Sequence, residues 1–252
     1  MPTIDDLAAT QALEELDRLL ADVPAIGGTL PPGFRDRVGG YVRLLLAANR
    51  RLNLTRVTRP REVARLHLLD SLAALPIIDD AAPDAVLDLG SGGGLPAIPL
   101  AIARPGSRWT LVDSVGRKAS ALRGFTEALE LSNVSVIAER AETLGSDPHH
   151  RERYGMVTAR ACATLPVLVE LALPLLATGG SLLAWKGPLG DEDDEVRRGR
   201  VAIGQVGGGR LRIVGTGLPA LGGHSFVIVP KERPTPPQFP RRPGEPARRP
   251  LA

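Results

Sequence analysis

The residues best suited to chemistry lie in a glycine-rich loop near the middle of the chain. Asp88, Gly90, Gly92, Gly94 and Leu95 follow a short apolar run that predicts a buried strand. Glycines let the backbone approach a ligand closely because they have no Cβ. In parallel α/β sheets, ligands bind where strands end and helices begin. The loop therefore predicts a binding site, although glycine-rich turns of this kind also occur without a ligand.

A second acidic residue narrows the class of ligand. Asp113 ends the next predicted strand, 25 residues after Asp88 and 19 after Gly94. At this spacing a carboxylate can accept hydrogen bonds from both hydroxyl groups of a ribose. We therefore expect a ligand that contains a nucleoside.

The glycine spacing separates two classes of nucleoside cofactor. A dinucleotide loop has the pattern Gly-x-Gly-x-x-Gly, but here the sixth position is Leu95 and the third glycine, Gly94, comes one residue early. An acid two residues before Gly-x-Gly-x-Gly resembles instead the first motif of class I methyltransferases, which bind S-adenosylmethionine (SAM). SAM contains no pyrophosphate, so the N-terminus of the following helix does not have to bind a phosphate group. SAM is favoured over NAD.

The elements around the loop predict an α/β fold, because apolar strand-like runs alternate with helical stretches. Seven strands are expected, at 85–89, 109–112, 134–138, 156–159, 181–185, 211–214 and 225–229, the last two as an antiparallel hairpin. Helices are expected at 7–23, 34–49, from about 58, and at 95–103, 117–131 and 166–177. We predict a helical extension at 1–82, a ligand-binding core at 83–229 and a tail at 230–252.

Positive charge is concentrated in the tail. Residues 230–252 contain six basic and two acidic side chains, so the tail carries +4 and the rest of the chain −1. Its eight prolines argue against a helix or a sheet ladder, so we expect an extended segment that folding does not require. An anionic partner is indicated, RNA being the natural candidate, and a solvated segment that binds nothing is the alternative.

Composition argues against several other classes of protein. The apolar content of 43% is enough for a sizeable core. No run reaches the roughly 20 unbroken apolar residues of a membrane span, and the acidic N-terminal sequence is unlike a secretory signal, so we expect a cytoplasmic protein. A single cysteine, Cys162, and four scattered histidines argue against a disulfide and against a metal site.

Further short motifs surround the loop and, in chain order, resemble those of one family. They are Asn53-Leu-Thr55, His67-Leu-Leu-Asp70-Ser71, Gly94-Leu-Pro96, Leu111-Val-Asp113-Ser114, Arg140-Ala-Glu142, Ala159-Arg160-Ala161 and Trp185-Lys-Gly187. Together they resemble the GidB (RsmG) family, the guanine-N7 methyltransferases of bacterial 16S ribosomal RNA. The resemblance implies a class I SAM-dependent methyltransferase with a Rossmann-like, mostly parallel seven-stranded sheet. It implies 16S ribosomal RNA or the 30S subunit as partner, and we favour a monomer.

The resemblance also implies roles for individual residues. Those expected to contact SAM are Asp88, Gly90, Gly92, Gly94 and Leu95 in the loop, Asp113 at the ribose, Ala141 and Glu142 at the adenine, and Arg160. Candidate substrate contacts are Lys186, Arg241 and Arg242. The chain departs from the family at Leu66, where a cation often precedes the histidine, and at Tyr154-Gly155, where Phe-Asp is common.

Guanine N7 carries an in-plane lone pair and no proton, so its methylation needs alignment and no general base. We therefore assign no catalytic residue. Cys162 lacks the preceding proline of a cytosine-C5 nucleophile and is interpreted as a buried core thiol, and His67 and Asp70 form an acid-base pair or, as readily, a structural contact. A small-molecule methyltransferase, an NAD oxidoreductase and an RNA-binding ribosome-assembly factor with a vestigial SAM pocket are the alternatives.

Overall fold

A computed structural model describes residues 3–252, and a single seven-stranded sheet forms its centre. The strands are β1 (Ala85–Leu89), β2 (Arg108–Val112), β3 (Val134–Ile137), β4 (Tyr154–Arg160), β5 (Leu176–Lys186), β6 (Arg212–Gly215) and β7 (Ser225–Pro230). Their order across the sheet is β3-β2-β1-β4-β5-β7-β6. Strands β1 to β5 are parallel and β7 is antiparallel to both of its neighbours. The predicted mostly parallel sheet with a terminal hairpin is confirmed.

Helices pack on both faces of this sheet. They are α1 (Ile4–Ala21), α2 (Pro24–Gly27), α3 (Phe34–Leu52), α4 (Pro60–Glu62), α5 (Asp70–Leu72), α6 (Leu75–Ala81), α7 (Ala97–Ala103), α8 (Gly116–Ala128), α9 (Ala141–Ser146), α10 (Leu165–Ala172), α11 (Asp194–Gln205) and α12 (Glu245–Arg248). A π-helical segment at Val63–Leu69 joins α4 to α5, and 3-10 turns lie at Leu173–Leu175 and Pro219–Leu221. Within residues 3–252, no helix is both long and apolar enough to cross a membrane.

Successive strand residues point to opposite faces, which divides the core into two clusters. Val86 packs with the N-terminal helices, α7 and α8, whereas Leu87 packs with α10 and α11. The main errors of the sequence prediction lie on the second face. Helix α11 has no counterpart among the predicted helices. The helix expected at 166–177 ends at Ala172 because the chain turns at Pro174 and enters β5 at Leu176.

The N-terminal helices support the glycine loop from behind. The Tyr41 hydroxyl on α3 donates to the Gly93 carbonyl over 2.8 Å, and Tyr41 is fully buried. A Cβ placed on Gly93 would lie 2.9 Å from Cδ1 of Leu45, also on α3. The loop therefore packs directly on α3, and the helical extension contributes to the shape of the site.

The tail packs against the core, so the expectation of an extended segment is wrong, whereas its being dispensable for folding stays a prediction. Thr235 and Phe239 are buried, and Phe239 belongs to the cluster on the α10 and α11 face. Proline removes a backbone donor but keeps its carbonyl, and here a side chain supplies the missing donors. Arg151 donates to the carbonyls of Thr235, over 2.8 Å, and Phe239, over 2.7 Å.

Candidate functional site

A cleft opens at the carboxyl ends of the parallel strands, around the glycine loop. Its larger part has a volume of about 680 Å³ and its smaller part about 220 Å³. Gly90, Cys162 and Ala163 line both parts, so the two meet over the first glycine of the loop. The predicted residues that line the larger part are Gly90, Gly92, Leu95, Arg160 and Lys186, and those that line the smaller part are Gly90, Ala141 and Glu142.

The loop adopts a backbone that favours glycine at three positions. Gly90, Gly92 and Gly94 have φ angles of 68°, 56° and 93°, in the left-handed region. At Gly90 the surroundings also exclude a side chain, since a Cβ there would lie 2.9 Å from the sulfur of Cys162. The loop thus presents bare backbone to the cleft, as close contact with a ligand requires.

Asp113 holds this loop in place from the end of β2. One carboxylate oxygen accepts from the Gly92 N–H over 2.9 Å and the other accepts from the Val115 N–H over 2.8 Å. Asp113 is buried, and each of its oxygens keeps a second lone pair for a further donor. The structure therefore gives Asp113 a positioning role that the sequence analysis missed, and its contact with a ribose stays a prediction.

Asp88 places a buried negative charge beneath the loop. Its Oδ1 accepts from the Thr158 hydroxyl over 2.7 Å, whereas Oδ2 has no hydrogen-bond partner among residues 3–252. Burial raises the pKa of Asp88 to about 6, and the hydrogen bond from Thr158 opposes this rise. The unpartnered oxygen of this buried carboxyl favours a cation in the cleft above it, since a nearby positive charge stabilises the ionised form. A sulfonium cofactor such as SAM fits this arrangement.

Arg160, at the end of β4, is fixed by a network centred on Asp70. Its Nη1 donates to Oδ2 of Asp70 over 3.0 Å and to the Leu66 carbonyl over 2.9 Å. The other oxygen of Asp70 lies 2.8 Å from Nδ1 of His224, and the Trp185 indole donates to the Asp70 carbonyl over 2.9 Å. Asp70 therefore orients an arginine and a histidine that both line the cleft.

His67 lies in the π-helical segment, and its side-chain partner is Thr55 and not Asp70. Its Nε2 is 2.7 Å from the Thr55 hydroxyl, so the hydrogen bonds favour the structural interpretation over an acid-base pair with Asp70. Burial and the nearby charge of Arg160 lower the pKa of His67 to about 4. The ring is therefore uncharged at neutral pH, and it joins the π-helical segment to the chain before α4.

Cys162 corrects an expectation, because it lies in the cleft and is exposed instead of forming part of the core. Its side chain packs against the loop at Gly90, where a Cβ would lie 2.9 Å from the sulfur and 3.4 Å from Cβ of Cys162. Partial burial of the sulfur, followed by the carboxylates of Asp88 and Asp113, raises the pKa of the thiol to about 11. A thiol with this pKa is a weak nucleophile at neutral pH, since the thiolate is the reactive form.

Glu142 is buried at the start of α9 and binds the tail. Its Oε1 accepts from the Gly244 N–H over 2.6 Å and from Nη2 of Arg140 over 3.3 Å. Glu142 is therefore not a solvated acid at a helix end. Its predicted contact with adenine stays a prediction, with Oε2 available for it.

The candidate substrate residues lie in contrasting surroundings. Lys186 lines the cleft but donates to Glu195 over 2.5 Å, and Arg242 is exposed. Arg241 is bound internally: its Nε and Nη2 donate to the two oxygens of Glu170 over 2.8 and 2.6 Å. Glu170 is fully buried, so its carboxylate needs the guanidinium of Arg241 as a charge partner. This geometry does not favour the predicted contact of Arg241 with RNA.

Several residues that line the cleft are absent from the candidates that the sequence suggests. They include His224 and Lys118 in the larger part, and Pro246 and Ala247 in the smaller part. His224 could have been found, because β7 runs antiparallel to β5 and pairs Ser225 with Lys186 at the same edge of the sheet. Pro246 and Ala247 reach the cleft only because the tail folds back, which no local pattern indicates.

Known proteins resemble this chain in sequence and in fold. A sequence model of the GidB family, described as rRNA small subunit methyltransferase G, matches residues 36–211. A ribosomal RNA small subunit methyltransferase G from Roseiflexus castenholzii is 42% identical over 236 residues, which cover 94% of this chain and 100% of the relative. The protein of the same name from Deinococcus radiodurans is 43% identical over 245 residues, covering 97% of this chain and 95% of the relative.

The fold is that of class I methyltransferases. The crystal structure of an O-methyltransferase from Bacillus cereus in complex with SAH superposes with a TM-score of 0.54 at 17% identity, covering 84% of this chain and 94% of the other. A SAM-dependent O-methyltransferase from Thermotoga maritima gives a TM-score of 0.51 at 11% identity, covering 76% of this chain and 72% of the other. At these identities the likeness concerns the fold alone.

Proposed function

The chain belongs to the GidB family, the ribosomal RNA small subunit methyltransferases G, and from this premise we propose that it transfers a methyl group from SAM to N7 of a guanine in 16S ribosomal RNA. The observation that carries the proposal is the cleft lined by the glycine loop, which Asp113 holds in place and beneath which Asp88 has an unpartnered carboxylate oxygen. Because the substrate is ribosomal RNA, we further propose that the protein acts in the cytoplasm.

The two parts of the cleft suggest how the cofactor lies. The larger part, with Gly90, Gly92 and Arg160, would receive the methionine portion, and Asp88 beneath the loop would attract its positive charges. The smaller part, with Ala141 and Glu142, would receive the adenosine. In this orientation, each residue predicted to bind the cofactor either lines the cleft or lies in or beneath the loop. Gly94 and Asp113 shape the loop.

When bound, SAM supplies an electrophilic methyl group on a sulfonium. Guanine N7 attacks with its lone pair without losing a proton, so the task of the protein is to align the two groups and exclude water. The polar residues of the larger part are suited to positioning and not to general base catalysis. Asp70 is hydrogen-bonded to Arg160 and His224, and His67 is a weak base because its pKa is lowered to about 4. Positioning of this kind can contribute roughly 7 to 11 kcal/mol to lowering the barrier.

Basic side chains at the rim of the cleft favour a polyanionic substrate. Arg56 and Arg65 are exposed, and each is adjacent in the chain to a residue that lines the larger part. Lys118 lines that part itself, and the exposed Arg117 precedes it. Cations around the entrance attract phosphate groups and bring the RNA toward the cleft.

Methyl transfer from tritiated SAM to purified 30S subunits and to naked 16S RNA tests the proposal. N7-methylguanosine is labile to borohydride and aniline, so the modified chain should be cleaved at one position, and RNA from cells without the gene should not. Tritium at a position that resists this cleavage would contradict the N7 assignment. Binding of SAM with no transfer to either RNA would favour the assembly-factor alternative.

A further inference from the structure

The smaller part of the cleft has a wall that comes from the tail. Pro246 and Ala247 of α12 line it together with Ala141 and Glu142 of α9. Ser114, which follows β2, and Val167 of α10 are among the other residues that line it. The tail therefore encloses a cavity that the core alone would leave more open.

Buried contacts hold this wall in place. The Gly244 N–H donates to Glu142 over 2.6 Å, directly before α12 begins, and Pro246 is itself buried. Three residues earlier, Arg241 forms its double hydrogen bond with the fully buried Glu170. These two contacts with buried carboxylates fix the position of α12 relative to α9 and α10.

The chemistry of the wall suits a flat aromatic base. Pro246, Ala247, Val167 and Leu171 give the cavity apolar surface, and the carboxylate of Glu142 supplies a hydrogen-bond acceptor. The charged residues Glu139 and Arg140 also line it. A cavity of about 220 Å³ with apolar walls and a polar edge can hold an adenine and exclude water from its faces.

On these grounds, and resting on the proposed function, we propose that residues 244–247 form one wall of the adenosine site, so that the tail is part of the SAM-binding machinery. Glu142 is then a positioning residue that joins α9 to the tail. The inference gives the tail a role at the cofactor, in addition to the contact with RNA that its charge suggests. It also explains why an arginine-rich segment packs closely on the core: part of the segment is needed at the cofactor.

Two shortened chains with nearly the same length test this inference. One ends at Pro243 and lacks α12, and the control ends at Pro250 and keeps it. Both retain Phe239 and the pairing of Arg241 with Glu170. Calorimetric titration with S-adenosylhomocysteine should give about tenfold weaker binding for the first chain, since it no longer buries roughly 50 Å² of apolar surface against the ligand. The control should bind like the full chain.

A full-length variant covers the case in which the chain ending at Pro243 does not fold. Ala247 is exposed, so Ala247→Trp can fill the smaller part of the cleft without entering the core. It should weaken binding of adenosine and S-adenosylhomocysteine at least fivefold with an unchanged melting temperature. Equal affinities in the variants and the full chain would overturn the inference alone. A full-length chain that binds neither compound would instead contradict the proposed function.

Discussion

The carboxylate of Asp113 accepts the N–H of Gly92 over 2.9 Å, which couples the end of β2 to the turn that follows β1. The same carboxylate accepts the N–H of Val115, so the acid also fixes the start of α8. The residue that the sequence assigns to the ribose is therefore also the residue that shapes the loop. Loss of Asp113 should change the site even before a ligand binds.

We predict that Asp113→Ala weakens SAM binding by at least tenfold and also lowers the melting temperature. Hydrogen bonds to a charged group contribute on the order of 1.5 to 3 kcal/mol each, and the variant loses two in the free protein. Asp113→Asn keeps one acceptor and serves as the matched control, with a smaller loss in both measurements. Calorimetry combined with thermal denaturation would refute the assignment if the alanine variant bound SAM normally.

Asp88→Asn is expected to stabilise the free protein and to weaken SAM binding. The folded protein holds the pKa of Asp88 at about 6, above the ordinary 3.8, so ionisation opposes folding at pH 7. The stabilising effect of the protonated form is complete below pH 4 and is lost as the pH rises through 6. The gain from asparagine at pH 8 should be on the order of 3 kcal/mol and should vanish near pH 4.

Thermal denaturation from pH 4 to pH 8 measures the first effect, and calorimetry with SAM measures the second. Wild-type affinity should fall as the pH decreases through 6, because the carboxylate that attracts the cationic cofactor becomes neutral. The asparagine variant should bind weakly at each pH. Wild-type affinity that stays constant down to pH 5 would remove Asp88 from the electrostatics of the site.

The sheet and the glycine loop could be predicted because local patterns encode them. Alternation of apolar runs predicts all seven strands, and the spacing from Asp88 to Asp113 indicates the ligand class. The tail could not be predicted in this way, since Arg151 supplies its hydrogen bonds from a distant part of the chain. Likewise, the buried partner of Arg241 lies 71 residues away, so composition alone indicates a free cation where the fold has an internal ion pair.

The rate of methyl transfer under single-turnover conditions, with saturating SAM, should be nearly independent of pH from 7 to 9. Attack by N7 needs no deprotonation. The shifted pKa values in and beneath the cleft lie outside this range, at about 6 for Asp88, 4 for His67 and 11 for Cys162. Rapid-quench measurements would decide the point, and a tenfold rise across the interval would indicate a general base and count against N7 as the acceptor.

Cys162→Ala should retain most of the methyl transfer activity. The thiol packs on Gly90 and has a raised pKa, so it contributes surface to the cleft and no nucleophile. Cys162→Ser, which keeps the size of the side chain, is the control for packing. If both variants fold and bind SAM but lose transfer completely, a covalent mechanism of the cytosine-C5 type would replace the proposed one.

Two adjacent arginines in the tail allow a test of which positive charges serve folding and which serve RNA. Arg241→Ala leaves the carboxylate of Glu170 buried without its partner, and removing one member of a buried pair costs about 3 to 5 kcal/mol. Arg242→Ala removes an exposed side chain and should change stability by less than about 0.5 kcal/mol. Denaturant unfolding of the two variants should therefore differ clearly.

For RNA binding, Arg242→Ala should have the larger effect of the two variants, although Arg241→Ala has the larger effect on stability. Removing one phosphate contact lowers the slope of log affinity against log salt by about 0.7 to 0.9, so Arg242→Ala should flatten the salt dependence. Arg241→Ala, studied below its unfolding transition, should keep the slope, because its guanidinium is already paired with Glu170. Fluorescence anisotropy with 16S RNA fragments at several salt concentrations measures these slopes. An unchanged slope for Arg242→Ala would remove that side chain from the RNA interface, and a flattened slope for Arg241→Ala would show that its pairing with Glu170 opens when RNA binds.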